Sequence, residues 1–190
     1  LLLAALNTGL EILLYPSEFA WNDVGIGRYL LFLGLALILT PLQTTTEELF
    51  FRGYLLQGGG RLLPSRIGPA LFNGVLFALP HVFNPEVSRG PVLLMLFYFL
   101  MGAFFSWVTL RDGTAELALG AHASNNLFVA LLINFEGSAL QTPSLVMSTR
   151  FDPLYNLVGF LVSAVVFAGL LLFRQPRQRE VVEAGETPTD

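Results

Sequence analysis

The chain has 190 residues, of which 54% are hydrophobic and only 13% charged, with a formal net charge of −4. An ordinary globular chain is about 25% charged, and a soluble core of this length cannot hide so much apolar surface. A soluble protein is therefore excluded, and an all-α polytopic membrane helix bundle is expected, in contact with lipid and not with nucleic acid. The mean hydropathy of +0.64 agrees. There is no Cys, which removes disulfides, thiolate-bound zinc and thiol catalysis.

Spanning helices need roughly 20 mostly apolar residues, and about seven helical segments are expected in chain order. The first is Leu1–Tyr15. The chain opens on Leu inside this apolar run, so truncation at the N-terminus is expected. The run has no basic n-region and is interrupted by Asn7 and Glu11, unlike a signal peptide. A polar loop, Pro16–Gly27, leads to the second segment, Arg28–Thr40, which Pro41 is expected to stop. The third, Thr44–Leu63, ends near Gly58–Gly60. The fourth is Ile67–Val82, the fifth Pro91–Leu110, the sixth Thr114–Asn134 and the seventh Leu154–Phe173. Residues 1–174 are read as one membrane domain and residues 175–190 as a polar, disordered tail.

The continuous apolar runs argue against a barrel. The spacings Gly102/Ser106 and Gly159/Ser163 would let helices approach closely. The abundant Phe residues read as packing or lipid-facing side chains. On this seven-segment plan Arg28, Arg61, Arg66, Arg111, Arg174, Arg177 and Arg179 fall on one side. Arg89 and Arg150 fall on the other, which predicts a cytoplasmic C-terminus.

Ionisable groups inside a membrane are expensive and mark function by default. Glu47, Glu48 and Arg52 lie on the third segment, His81 ends the fourth, and His122 and Asn126 lie midway along the sixth. Glu48 and Arg52 are four apart in the favourable pairing order. Glu47 is rotated about 100° from Glu48, so one carboxylate can be neutralised while the other stays free. A buried ion network that only fixes helix packing is the alternative. His122 and Asn126 share one helix face, as do Asn73, Phe77 and His81. Pro80 is expected to free the Leu76 carbonyl and bend the fourth segment. The third and fourth segments run antiparallel, so Glu47 and His81 fall toward the same side of the membrane. The charge count makes that the outer side.

A carboxylate and an imidazole together can deprotonate water for attack on a carbonyl. His and Asn donors opposite can hold the oxyanion. Zinc on Glu47, His81 and His122 with a water is a chemical alternative, although there is no His-Glu-x-x-His. Ser124 lies two residues from His122 and faces a different direction.

At these residues the chain resembles the CAAX prenyl protease and bacteriocin-processing family of intramembrane endopeptidases, the type II CAAX or ABI family. Its motifs stand as "EELFFR" from Glu47 to Arg52, "FALPH" from Phe77 to His81 and "HASNN" from His122 to Asn126. The similarity covers roughly Thr40 to Asn134. The resemblance implies a multi-helix membrane fold with a cavity opening to one side, in a prokaryotic plasma membrane. It implies that Glu47 and His81 activate water and that His122 and Asn126 form the oxyanion site. Glu48 and Arg52 would support the site, with no cofactor. The implied substrate is a membrane-proximal peptide segment, lipidated or not. A non-catalytic immunity or scaffold protein and a proton-coupled transporter are the competing functions.

Overall fold

A computed structural model describes residues 1–65 and 67–173. The expected tail lies outside these residues. Helix α1 spans Leu2–Leu14, and α2 spans Ile26–Glu48. A π-helical segment, Leu49–Leu55, joins α2 to α3, Leu56–Leu62. Then come α4 (Gly68–His81), α5 (Pro91–Asp112), α6 (Glu116–Leu131) and α7 (Pro153–Leu172). The fold is an all-α membrane bundle. Three rods are long and apolar enough to cross a bilayer: Ile26–Leu62, Pro91–Asp112 and Pro153–Leu172.

The expected second and third segments are one continuous rod of 37 residues. Pro41 sits inside α2 and does not stop it. Proline removes one N–H and crowds the carbonyl four residues back. In lipid, nearby hydroxyls can satisfy the backbone groups so disturbed. Here the Thr44 hydroxyl donates to the carbonyls of Thr40 (3.0 Å) and Pro41 (3.2 Å). Pro80 likewise leaves α4 unbroken, and the helix ends one residue later at His81.

Local signals set the other boundaries. Pro91 opens α5, and Gly113 closes it in the left-handed region at φ 84°. Asp152 caps α7 by accepting from the N–H groups of Leu154 and Tyr155. The α4–α5 contact is unusually close. A Cβ on Gly102 would stand 2.6 Å from Phe77 Cβ, and one on Gly74 would stand 2.7 Å from the Phe99 carbonyl oxygen. Gly159 packs equally tightly against Asn7 of α1. Phe77, Ala78, Val87, Leu94 and Tyr98 form one buried cluster, with Phe105, Val108, Ala118 and Leu171 in a second. Elsewhere the bundle turns aliphatic side chains outward to lipid, such as Leu31, Ile38, Val162 and Val165.

The expected loop at Pro16–Gly27 instead carries a strand, β1 (Phe19–Trp21). The expected sixth segment stops at Leu131, and the chain continues into β2 (Ile133–Phe135). With β3 (Val146–Ser148) they form a small sheet in the order β1-β3-β2. The β1–β3 pair is antiparallel and the β2–β3 pair parallel. The sheet joins the α1–α2, α6–α7 and neighbouring connections at one end of the bundle. Merging the two segments also moves Arg28 to this end, with Arg89 and Arg150. Among the described residues Arg61 and Arg111 sit at the other end, and Arg66, Arg174, Arg177 and Arg179 of the charge count lie outside the described residues.

Candidate active site

Glu48 and Arg52 lie where α2 gives way to the π-helical segment. The Leu56 N–H bonds to the Phe51 carbonyl, five residues back. Such wide turns recur at functional sites. The geometry keeps Glu48 and Arg52 on one face, with Arg52 Nη1 3.2 Å from Glu48 Oε1 and both side chains fully buried. Three rings surround the guanidinium. Its carbon lies 4.7 Å from the Phe77 centroid, 5.5 Å from Phe105 and 5.7 Å from Phe51. Cation–π attraction strengthens when the cation is desolvated, as it is here. Three of the many Phe residues thus have an electrostatic role that composition alone did not show. Arg52 Nη2 also donates to the Gly102 carbonyl at 3.4 Å, linking the pair to the close α4–α5 contact.

Glu48 also accepts from His122 Nδ1, at 2.8 Å. A carboxylate only accepts, so this bond puts a proton on Nδ1 and leaves Nε2 to face the other way. Nε2 lies 3.8 Å from Glu47 Oε2. Glu47 differs from its neighbour in environment: its side chain is 32% exposed, and its partner on its own helix is the Gln43 amide. The spacing argument thus holds in three dimensions. One carboxylate is locked to Arg52, and the other lines an open space.

His81 reaches that space from the end of α4. Its Nδ1 bonds to the Phe77 carbonyl at 2.7 Å. A carbonyl accepts, so Nδ1 carries the proton and Nε2 is the basic nitrogen. The Phe77 ring lies 4.7 Å from the His81 ring and 6.2 Å from that of His122, so one phenylalanine separates the two imidazoles.

These groups line a cavity of about 620 Å³, bounded by side chains of α1, α5, α6, α7 and the sheet. Glu47, His81, His122 and Asn126 are all on its wall. The structure brings Glu47, Glu48, Arg52 and His122 into direct contact. His81 and Asn126 share the cavity wall with them, and His81 also touches the Phe77 ring that borders His122. Among the described residues, no group of three His, Cys, Asp or Glu side chains converges as metal ligands do.

Sequence reasoning missed Gln43, Glu86 and Tyr98. Gln43 lies one turn before Glu47, in a region read as a break. Glu86 sits in a short 3-10 turn, Pro85–Arg89, between two of the expected segments, yet it is buried. Tyr98 stacks on His81 with ring centroids 4.1 Å apart. No helical periodicity connects it to that residue.

The helical bundle, with ionisable groups gathered round one cavity, is that of a polytopic membrane protein. Residues 27–128 match the model of the family described as type II CAAX prenyl endopeptidase Rce1-like, and the chain belongs to that family. All three motifs lie within the matched span. The chain is also 34% identical over 171 residues to the uncharacterized protein YyaK of Bacillus subtilis (strain 168), over 90% of its own length. It spans 57% of the length of that relative. No solved structure matches. The chain is a multi-pass integral membrane protein, and its bacterial relative is in keeping with a prokaryotic plasma membrane.

Proposed function

We propose that this protein is an intramembrane endopeptidase that hydrolyses a membrane-proximal peptide bond. The carrying observation is the contrast between the two adjacent carboxylates. Glu48 is spent on Arg52 and His122, whereas Glu47 faces the cavity beside His122. In this reading Glu47 takes a proton from water, and His81 assists through its basic Nε2. The hydroxide formed attacks the scissile carbonyl, and as the tetrahedral intermediate collapses the C–N bond breaks and the proton held by Glu47 passes to the leaving amine nitrogen. His122, when protonated on both nitrogens, donates through Nε2, and the Asn126 amide donates alongside it to the developing oxyanion. Glu48 and Arg52 carry opposite charges, and their pairing lowers the cost of burying both beside the site. Water is activated by a carboxylate, and no metal is required. The substrate is a peptide or protein segment at the membrane, lipidated or not.

The test is cleavage of a pooled peptide library by the protein in nanodiscs. Glu47→Gln keeps the side-chain shape and removes the base. Cleavage is expected to fall by roughly 100- to 10,000-fold, with the thermal unfolding profile unchanged. A chelator is expected to leave the wild-type rate intact. Loss of activity with chelator would point to zinc. Full biological activity of Glu47→Gln in the source cell would replace the protease reading with that of a non-catalytic immunity or scaffold protein.

A further inference from the structure

The His81 ring is held on more sides than its place at a helix end requires. The Tyr98 ring stacks against one face, at 4.1 Å and an interplanar angle of 29°. The Phe77 ring approaches at 4.7 Å and 32°. The Phe77 carbonyl holds Nδ1. Phe77 is fixed in turn by Gly102, which leaves its Cβ no room to move toward α5. Tyr98 is fixed at its far end, where its hydroxyl donates to Glu86 Oε1 at 2.7 Å.

Glu86 is the keystone of that arrangement. Its Oε1 also accepts from the Asn84 amide at 3.2 Å, and the same amide donates to the Tyr98 oxygen at 3.0 Å. Its Oε2 accepts from the Ala139 N–H at 2.9 Å. One buried carboxylate thus joins the turn after α4, the middle of α5 and the segment between β2 and β3. That segment borders the cavity through Ser138, Ala139 and Leu140. A buried acid with no cationic partner is costly unless its oxygens are bonded, and here both are.

We propose that Tyr98 and Glu86 are positioning residues that set the His81 imidazole, so that its Nε2 is presented to the cavity in one orientation. Glu86 also makes that orientation depend on the segment bordering the cavity at Ala139. The proposal rests on the peptidase reading for its kinetic consequence, but its structural content can be measured without turnover.

The chain contains only two histidines, His81 and His122. Labelling histidine with ¹⁵N and ¹³C therefore gives two imidazole signatures, assigned with His122→Gln. In the wild type, the His81 ring protons are expected to be shifted upfield by the stacked rings, and the ring to be protonated at Nδ1. Tyr98→Leu removes the stack, and the upfield shift should collapse. Tyr98→Phe keeps the ring and should retain most of it. In Glu86→Gln the side chain has one acceptor oxygen where two are used, so its NH2 must face either Tyr98 or the Ala139 N–H. The His81 signal should broaden or divide. With a cleaved peptide in hand, Tyr98→Leu should lower kcat roughly 10- to 100-fold, as ångström misplacement of a reacting group does. KM should stay within about twofold, and Tyr98→Phe should recover most of the rate. Unchanged His81 resonances in both Tyr98→Phe and Tyr98→Leu would overturn the proposal, as would a Tyr98→Leu enzyme with wild-type kcat. The peptidase reading fails if Glu47→Gln keeps full biological activity, and the resonances decide the positioning whether or not any peptide is cleaved. If Tyr98→Leu does not fold, Tyr98→Phe and Glu86→Gln carry the test.

Discussion

Glu47 and Glu48 are one residue apart and should respond to substitution in opposite ways. Removing Glu48 leaves the buried Arg52 guanidinium without its counter-charge and His122 Nδ1 without its acceptor. Breaking one side of a buried ion pair costs on the order of 3–5 kcal/mol, so Glu48→Ala and Arg52→Ala should each lower the thermal unfolding midpoint markedly. Pairing Glu48→Met with Arg52→Met should restore much of that loss while leaving the protein inactive. A melting series in one detergent checks all three. The division between the two acids was legible in the sequence, because four-residue spacing pairs Glu48 with Arg52 and a rotation of about 100° per residue sets Glu47 aside. The gathering of His122 beside them was legible only as a shared depth. The roles of Gln43, Glu86 and Tyr98 were not legible. A loop acid and an aromatic on a neighbouring helix meet only through tertiary packing, which leaves no period in the chain.

The elements explain where this precision comes from. The α4–α5 contact has glycines on both sides, Gly74 and Gly102, and its closeness fixes Phe77 where its ring touches Arg52 and both imidazoles. Gly102→Val must push Phe77 away from α5. Overpacking of this kind costs about 1–3 kcal/mol, and peptide cleavage should fall further than stability does, because the displaced ring touches His81. Comparing residual rate with unfolding midpoint separates the two effects. Gly102 and Ser106 were read from their spacing as a packing stripe. The structure adds that Ser106 accepts from the buried Asn73 amide and donates to the Gly102 carbonyl. The continuous rod through Pro41 could not be read in this way. Proline's local cost is visible in sequence, but the Thr44 hydroxyl that satisfies the neighbouring carbonyls is a three-dimensional answer. The three strands were equally hidden, since three residues are too few to show alternation.

The whole bundle mixes rods of unequal length. The rod from Ile26 to Leu62 has 37 residues and is about 55 Å long. The histidine-bearing helices α4 and α6 have 14 and 16 residues, about 21 and 24 Å. A bilayer's hydrocarbon core is about 30 Å thick. Short helices are accommodated by local thinning of the bilayer, at a modest cost for each ångström of mismatch. Cleavage should therefore slow as nanodisc lipids are lengthened, and a rate independent of acyl length would show that the site does not depend on thinning.

The small sheet has a further consequence, for the order in which the protein can be made. Its middle strand is β3, and β1 and β2 each pair only with it. Neither outer strand has its hydrogen-bonded neighbour until Val146–Ser148 has been synthesised, after the whole of α1 to α6. Because chains fold progressively as they emerge, the wall that the sheet gives the cavity is among the last parts to form. Until then, a chain carrying Glu47, His81 and His122 in the bilayer lacks one wall of the cavity that these residues line.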